Sequence, residues 1–275
     1  MFDVISADTP ELLQQAYRLR YQVYCIENKY EDPSNNPEGI ETDEYDAYSI
    51  HTLLLDRKSK LTLGTARLIL PRRDRINQSF PIQYACRDSS PIDIYRYPVQ
   101  SMAEISRFCI SKNFRQLAAG TGTSSRQLIL SMTVRLLEGL LRLGVQAGIT
   151  HWCAIMEPAL LRLLGGLGIY FRPLGPMIEF HGRRQPCYQD IRIQLLRIQK
   201  ERPDVWSIVT ANGAHWTALL NLHQPAASQE PFEVSCAQAK VEKPITRSTG
   251  MEAGLWCNFG AGEAAFSCDT GEATT

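Results

Sequence analysis

The apolar and polar positions of the first two hundred residues alternate between strand-like and helix-like periods. Residues 2–7 (FDVISA) predict a short strand. Thr9 and Pro10 then form a helix start, with threonine as the cap and proline where its missing N–H costs nothing. Leu12, Ala16, Leu19 and Val23 follow at spacings of four, three and four, one apolar stripe of a helix that ends near Asn28. Residues 29–47 are polar and contain Pro33, Pro37 and Gly39; a loop this long in a compact domain is often functional. SIHTLLL (49–55) and LTLGTARLIL (61–70) predict two strands around a turn at Asp56–Lys60. A Pro- and Arg-rich connection (71–100) leads to a third strand, MAEISRFCI (102–110). Residues 124–143 predict the longest helix, with Ser124 as its cap, followed by a strand at 149–155 and a short helix at 158–164. Residues 170–180 are strand-like but interrupted at Pro173 and Pro176, and a helix at 190–201 ends before Pro203.

This order predicts an α/β fold with a mixed sheet flanked by helices, because three strands come close together before the long helix. No GxGxxG follows a strand and no GxxxxGK[ST] is present, so a doubly wound nucleotide fold is not expected. After Gly213 the periodicity fades into alanine, glutamate, serine, glycine and threonine. The division expected is a folded domain over 1–212 and a weakly ordered extension over 213–275, within which Trp216 and Trp256 argue against complete disorder.

Composition adds exclusions. Lysine plus arginine equals aspartate plus glutamate at 29 each, which gives no nucleic-acid signal. Residues 212–275 hold seven acidic and three basic residues, net −4, so 1–211 carry +4, a mild charge that suits an acidic carrier or a phosphorylated ligand. The eight cysteines form no CxxC pair, and Cys109 and Cys153 sit inside apolar runs; buried reduced thiols are expected rather than disulfides or a metal site. MFDVISADTPE does not read as a signal peptide, and no apolar run reaches membrane-spanning length, so a cytoplasmic setting is expected. His51 and His151 lie in strand-like runs and are expected to be core or hydrogen-bonding residues. His181 with Arg183, Arg184 and Cys187 (HGRRQPC) reads as a loop over a polar ligand or as structural support.

The chemistry concentrates in charges placed among apolar residues. Arg20 and Tyr24 lie four apart on the first helix and share a face. Asp43 and Asp46 precede the second strand. Arg67 lies inside GTARL, and Glu104 and Arg107 lie inside AEISRF. Unpaired buried charges are costly, so Arg20, Arg67 and Arg107 are expected to meet Asp43, Asp46 and Glu104. A structural ion network and an active site are equally compatible with that count.

The ordered set Arg-x3-aromatic, D-x-x-D, G-x-x-R (Gly64 and Arg67) and E-x-S-R-F (Glu104, Ser106, Arg107 and Phe108) resembles the acyl-homoserine-lactone synthase family. LRYQVYCIEN, the E-x-D-x-x-D loop, SIH, GTARLILP, EISRFCISK, GITHWCAIMEPALLRLL, HGRRQPCY and ERPDVWSIVT resemble the acyltransferases of the PEP-CTERM/exosortase system, relatives of the autoinducer synthases and of N-acyl amino acid synthases. This likeness spans about residues 2–213. It implies a GNAT-like fold with a mostly antiparallel sheet, and transfer of a fatty acyl group from an acyl carrier protein or CoA thioester to the amine of a small, amino-acid-like acceptor, with no permanently bound cofactor and no metal. Homoserine-lactone synthases usually carry a tryptophan in the loop after the first helix. Here the stretch reads ENKYEDPSNNPEG, with Tyr30 as its aromatic, which favours another amine. Lactone synthesis and a non-catalytic carrier-binding protein on the same fold are the alternatives.

Within that frame Glu104 is the first candidate for general base and Asp46 the second, with Arg107 beside them. Asp43 and Asp46 are candidates for holding the acceptor ammonium, Arg67 and Arg107 for clamping an acceptor carboxylate, and Arg20 for anchoring the loop. Arg20, Tyr24, Asp43, Arg67, Ser106 and Phe108 form the expected substrate-binding set. Arg115, Gly120, Gly122 and Ser124, before the long helix, are candidate carrier contacts or an ordinary turn and cap. Arg72, Arg73, Arg75, Lys112, Arg115 and Arg126 form a candidate carrier patch or plain solvated surface. Glu104 and Arg107 are three apart and would face opposite sides of a regular strand, so a bulge near Ile105 or Ser106 is expected.

Overall fold

The computed structural model of the 275-residue chain describes residues 1–86, 96–114, 122–180 and 182–222. The chain begins with strand β1 (Phe2–Ser6) and helix α1 (Pro10–Tyr21), which starts where the sequence predicts: the Thr9 hydroxyl accepts from the Leu12 N–H, and Pro10 occupies the first turn. α1 runs into a π-helical segment, Gln22–Glu27, closed at Asn28, whose backbone and side-chain amides both donate to the Val23 carbonyl. Strands β2 (Ser49–Asp56) and β3 (Thr62–Ile69) form a hairpin. Helix α2 (Pro81–Ala85) lies on the connection to β4 (Met102–Ile110). Helix α3 (Ser125–Gln146), β5 (His151–Met156), α4 (Pro158–Gly166), the two-residue strands β6 (Arg172–Pro173) and β7 (Ile178–Glu179), β8 (Arg183–Asp190), α5 (Ile191–Glu201), α6 (Pro203–Val209) and α7 (Ala214–Asn221) complete the order.

The sheet runs β1-β2-β3-β4-β5-β8-β6, with β7 also on β8. Every pair is antiparallel except β4–β5, so the sheet is mixed and mostly antiparallel. α3 covers one face. It buries Met132, Leu136 and Leu140 against Leu54, Leu68 and Ile105; each fully buried side chain of this size contributes about 2 kcal/mol. Gly139 sets the approach: a Cβ there would clash with Thr52 Oγ1 and lie 2.7 Å from Val4 Cγ2. α1 lies on the other face, with Ala16 against Leu53, and Leu19 and Val23 in a cluster with Cys109.

β4 carries the distortion that the site needs. Ile69↔Glu104, Leu68↔Ile105 and Arg67↔Ser106 keep one register with β3, and Thr65↔Cys109 and Gly64↔Ile110 keep another. The extra residue falls at Arg107, whose φ is 47°, one position past the expected Ile105–Ser106. Ala103, Ile105 and Phe108 therefore join the core beneath α3. Pairing of β4 with β5 covers Met102–Glu104 against His151–Cys153; beyond it the two strands separate.

Residues 183–190 are a strand and not the loop over a polar ligand that is one of the two readings of HGRRQPC. They form a full strand that pairs with β5 from Asp190↔His151 to Gln185↔Met156. Their polar character and Pro186 conceal this, since proline usually argues against a strand interior. Arg184 is buried, 3.9 Å from Glu157, and the buried Cys187 thiol donates to the Ala154 carbonyl at 3.3 Å. His181 lies outside the described residues. α6 had no counterpart in the reading, and α7 lies past its 212/213 division with Leu219 fully buried in the core. The rest of 213–275, from 223 on, lies outside the described residues. Among the described residues no helix is long and apolar enough to cross a membrane.

Candidate active site

A row of polar side chains crosses the sheet face opposite α3. His51, Arg67 and Ser106 are register partners on β2, β3 and β4, and Arg67 Nε donates to Ser106 Oγ at 2.8 Å. Arg20, from the last turn of α1, and Arg107, from the bulge, flank the row. Their partners arrive on the segment before β2.

Asp43-x-x-Asp46 is first a local structure. Asp43 caps the 3-10 helix Glu44–Tyr48, accepting from the Tyr45 N–H at 2.9 Å, and Asp46 accepts from the Asp43 N–H at 2.8 Å. This reciprocal capping box turns both carboxylates toward the arginines. Asp46 Oδ1 takes Arg20 Nη1 and Arg67 Nη1, both at 2.7 Å, and Asp46 Oδ2 takes Arg20 Nη2 at 3.1 Å. Asp43 takes Arg67 Nη1 at 2.6 Å, Arg67 Nη2 at 2.9 Å and Arg107 Nη2 at 3.1 Å.

The third anion of this network is Glu41, not Glu104. Glu41 is buried between Arg20 Nε and the Arg107 guanidinium, the latter donating through Nη2 at 2.6 Å and Nε at 3.1 Å. With this exchange three arginines meet three buried carboxylates, and Glu31 adds a partly exposed fourth, 3.6 Å from Arg107 Nη2. Burial alone would raise the three carboxylates, but the arginines outweigh it. Glu41 is held at about 2 by Arg107 and Arg20, Asp43 is lowered by Arg67 and Arg107, and Asp46 falls well below the carboxylate range under Arg20 and Arg67. Asp46 is thus a poor base, and Arg67, with all three nitrogens donating to protein, offers little to an acceptor carboxylate. Arg107 keeps Nη1, which is buried without a hydrogen-bond partner among the described residues. The Tyr24 ring, aimed by the π-helical segment, lies 5.3 Å from the Arg107 guanidinium carbon. His51, buried beneath the network 3.5 Å from Asp46, is pushed down to about 3, chiefly by burial, and is neutral.

Glu104 lies on the same face but stands apart. Its carboxyl is 1% exposed and accepts from the Ile82 N–H of α2 at 2.9 Å. Phe80, Ile82, Met102 and Cys153 form the apolar cluster beside it. Burial pushes Glu104 up to about 8, offset in part by the Ile82 N–H and by Arg67. Glu104 thus combines burial, a single hydrogen bond among the described residues and an elevated pKa, the properties of a group that exchanges protons near neutrality.

The remaining expected residues divide. Phe108 points into the core under α3 and not toward the network. The Ser124 hydroxyl accepts from the Gln127 N–H at 3.3 Å as cap of α3, after Gly122 at φ 66°. Arg115 and Gly120 lie outside the described residues. Arg72 pairs with Asp74 at 3.0 Å, and Lys112 Nζ donates to the Glu27 carbonyl at 3.0 Å. Glu27, which the sequence reading did not single out, ties the end of the π-helical segment to the exit of β4 through Ser111 Oγ (2.6 Å) and the Lys112 N–H (2.9 Å).

Residues 19–123 match the Acetyltransferase (GNAT) domain family. No curated protein matches the chain. Among solved structures, the chain is similar to TofI in a ternary complex with an inhibitor and MTA, with 20% identity, 74% of this chain and 99% of that one covered, and a TM-score of 0.52. It is also similar to BjaI, a CoA-dependent acyl-homoserine lactone synthase solved with SAM and isopentyl-CoA (22% identity, 77% and 88% covered, TM-score 0.49). FeeM, an N-acyl amino acid synthase from uncultured soil microbes, is similar at 14% identity, with 73% and 98% covered and a TM-score of 0.49. The chain has a GNAT-like α/β fold, and its acetyltransferase domain match makes it an enzyme of the acyltransferase class.

Proposed function

We propose that the protein transfers a fatty acyl group from an acyl carrier protein or CoA thioester to the amine of a small, amino-acid-like acceptor, with Glu104 as general base. The observation that carries this reading is the isolation of Glu104. Glu41, Asp43 and Asp46 are each engaged by two arginines, whereas Glu104 keeps acceptor capacity and a pKa near 8 beside the point where β4 leaves β5.

The thioester needs no activation, but an acceptor amine is mostly protonated at neutral pH. Glu104 takes that proton. The freed nitrogen forms the C–N bond, the tetrahedral intermediate collapses, and the C–S bond breaks to release the carrier thiolate, which is then protonated. Past Glu104 the β4 edge has no strand partner on the β5 side among the described residues, and its backbone N–H groups are suited to the developing oxyanion. The network holds the bulge at Arg107 and offers the Arg107 Nη1 donor to the acceptor. The apolar lining beyond the separation suits an acyl chain. The motif likeness over residues 2–213 further supports a product that serves the PEP-CTERM/exosortase system.

Mass spectrometry of lipids from cells overproducing the wild type or Arg107→Ala tests the reading. An N-acyl amino acid present with the wild type and absent with the variant is expected. A lactone product would replace the acceptor assignment, and no new lipid in either strain would refute acyl transfer.

A further inference from the structure

The outward face of α5 departs from an ordinary solvated helix. Ile191, Gln194, Leu195 and Ile198 are buried, and Arg192, Ile193, Leu196, Arg197 and Lys200 form the opposite stripe, at helical spacings of three and four. Ile193 is 67% exposed, the highest value among the large apolar side chains of the described residues, and Leu196 is 49% exposed. The exposed Tyr170 borders the stripe. Its N–H donates to Gln194 Oε1 at 3.1 Å, and its ring lies 3.7 Å from the Arg197 guanidinium carbon. Arg197 also pairs with Glu201 at 2.8 Å, whereas Arg192 and Lys200 have no carboxylate partner among the described residues. Apolar residues framed by cations make a contiguous surface, which singly scattered hydrophobics do not.

The same chain carries the complement. Residues 251–266 read MEAGLWCNFGAGEAAF, in which Met251, Leu255, Trp256, Phe259 and Phe266 are the large apolar residues and Glu252 and Glu263 the charges; no lysine or arginine occurs from 248 to 275. The start of this tail lies beside α5, because α7 packs against α3 and α5 and is followed by the exposed Leu222. Residues 223–250 can span roughly 90 Å when extended, far more than the ~16 Å length of α5.

We propose that residues 251–266 dock on the outward stripe of α5 of the same chain, with their aromatic residues on Ile193, Leu196 and Tyr170, and Glu252 and Glu263 toward Arg192 and Lys200. Linkage favours this occupant over a separate partner, because it raises the effective concentration of the segment without any new contact. A second copy docked through the same stripe would set Arg192, Arg197 and Lys200 against their own counterparts across the two-fold axis. The docking does not depend on the transfer chemistry at Glu104.

Carbodiimide coupling of the full-length chain tests this, since it joins the Lys200 amine as an amide to a carboxylate in contact with it. Isotope-labelled and unlabelled protein are mixed equally, coupled, digested and mapped by mass spectrometry. Peptides linking Lys200 to Glu252 or Glu263, with both partners from the same chain, are expected from the wild type. Their yield is expected to fall about tenfold or more in Ile193→Asp/Leu196→Asp and in Trp256→Asp/Phe259→Asp, each checked for its fold by circular dichroism. The second pair leaves α5 and the core unaltered. Absence of links from Lys200 to the tail in the wild type, or a yield that neither folded variant changes, overturns the docking. Links that join labelled to unlabelled chains assign the stripe to the tail of a second copy and overturn it as well. Flotation of the wild type but not of Ile193→Asp/Leu196→Asp with phosphatidylglycerol vesicles, in the absence of these links, assigns the stripe to a lipid surface instead.

Discussion

Glu104 and Arg107, three residues apart on β4, lie on the same face of the sheet because Arg107 adopts a left-handed backbone conformation at φ 47°. The bulge gives the two charges different surroundings. Arg107 reaches Glu41 and Asp43, whereas Glu104 meets a single backbone N–H among the described residues. A non-glycine residue in this conformation is strained by on the order of 1–3 kcal/mol, which the carboxylates around Arg107 offset.

The Glu104 carboxyl predicts an unusual pH dependence of stability. Its pKa is raised from 4.5 to about 8 by burial, so the folded state binds its proton more tightly than the unfolded state. Its contribution to stability is complete below the unfolded value and is lost as pH rises through about 8. Glu104→Gln removes that loss. The variant's thermal midpoint is expected to exceed the wild type's by a margin that grows with pH across this window and then levels off, while acyl transfer falls by about 10²- to 10⁴-fold. Equal midpoints at alkaline pH would contradict the burial of an ionisable carboxyl.

Glu41 makes the opposite prediction. Its pKa is lowered from 4.5 to about 2, so its stabilisation is present above the unfolded value and is lost as pH falls toward about 2. Glu41→Ala leaves Arg20 Nε and much of the Arg107 guanidinium buried without a carboxylate. A destabilisation of about 3–5 kcal/mol is expected in urea unfolding at neutral pH, shrinking under acid. A midpoint within experimental scatter of the wild type would remove Glu41 from the network.

Asp46→Asn separates the two candidate bases. The substitution breaks contacts to Arg20 and Arg67 and should lower stability by a few kcal/mol. The residual transfer should still rise with pH toward about 8, since Glu104 is untouched. Loss of that rise with stability preserved would transfer the role of base to Asp46.

What the sequence revealed depended on whether burial left a mark in the local pattern. Arg20, Arg67, Glu104 and Arg107 stand out because their neighbours are apolar, and Thr9 and Ser124 because capping is a local interaction. Glu41 lies in a polar loop with Ile40 as its one adjacent apolar residue, too little to betray its burial, and the count of charges among apolar runs completes the set with Glu104 instead. The strand at Arg183–Asp190 was hidden because β5 and β6 supply its partners while its own residues are polar and include a proline. The need for a bulge followed from the spacing of Glu104 and Arg107, but its position followed from where β3 slips register, which no single strand encodes.

The packing of α3 yields a further prediction. Gly139→Ala places a methyl group into Thr52 and Val4, so α3 must move from β1 and β2. A loss of about 1–3 kcal/mol is expected in urea unfolding, as for other overpacked cores. A neutral substitution would mean that α3 seats more loosely than its contacts with β1 and β2 imply.

The most direct test of the central claim is mass spectrometry of purified wild type and Glu104→Gln, each incubated with acyl-CoA or acyl carrier protein and a mixture of amino acids. The account predicts an N-acyl amino acid from the wild type, formed faster as pH rises toward about 8, and almost none from a folded Glu104→Gln. Equal product from the two proteins, or no amide from the wild type with either carrier, would contradict it.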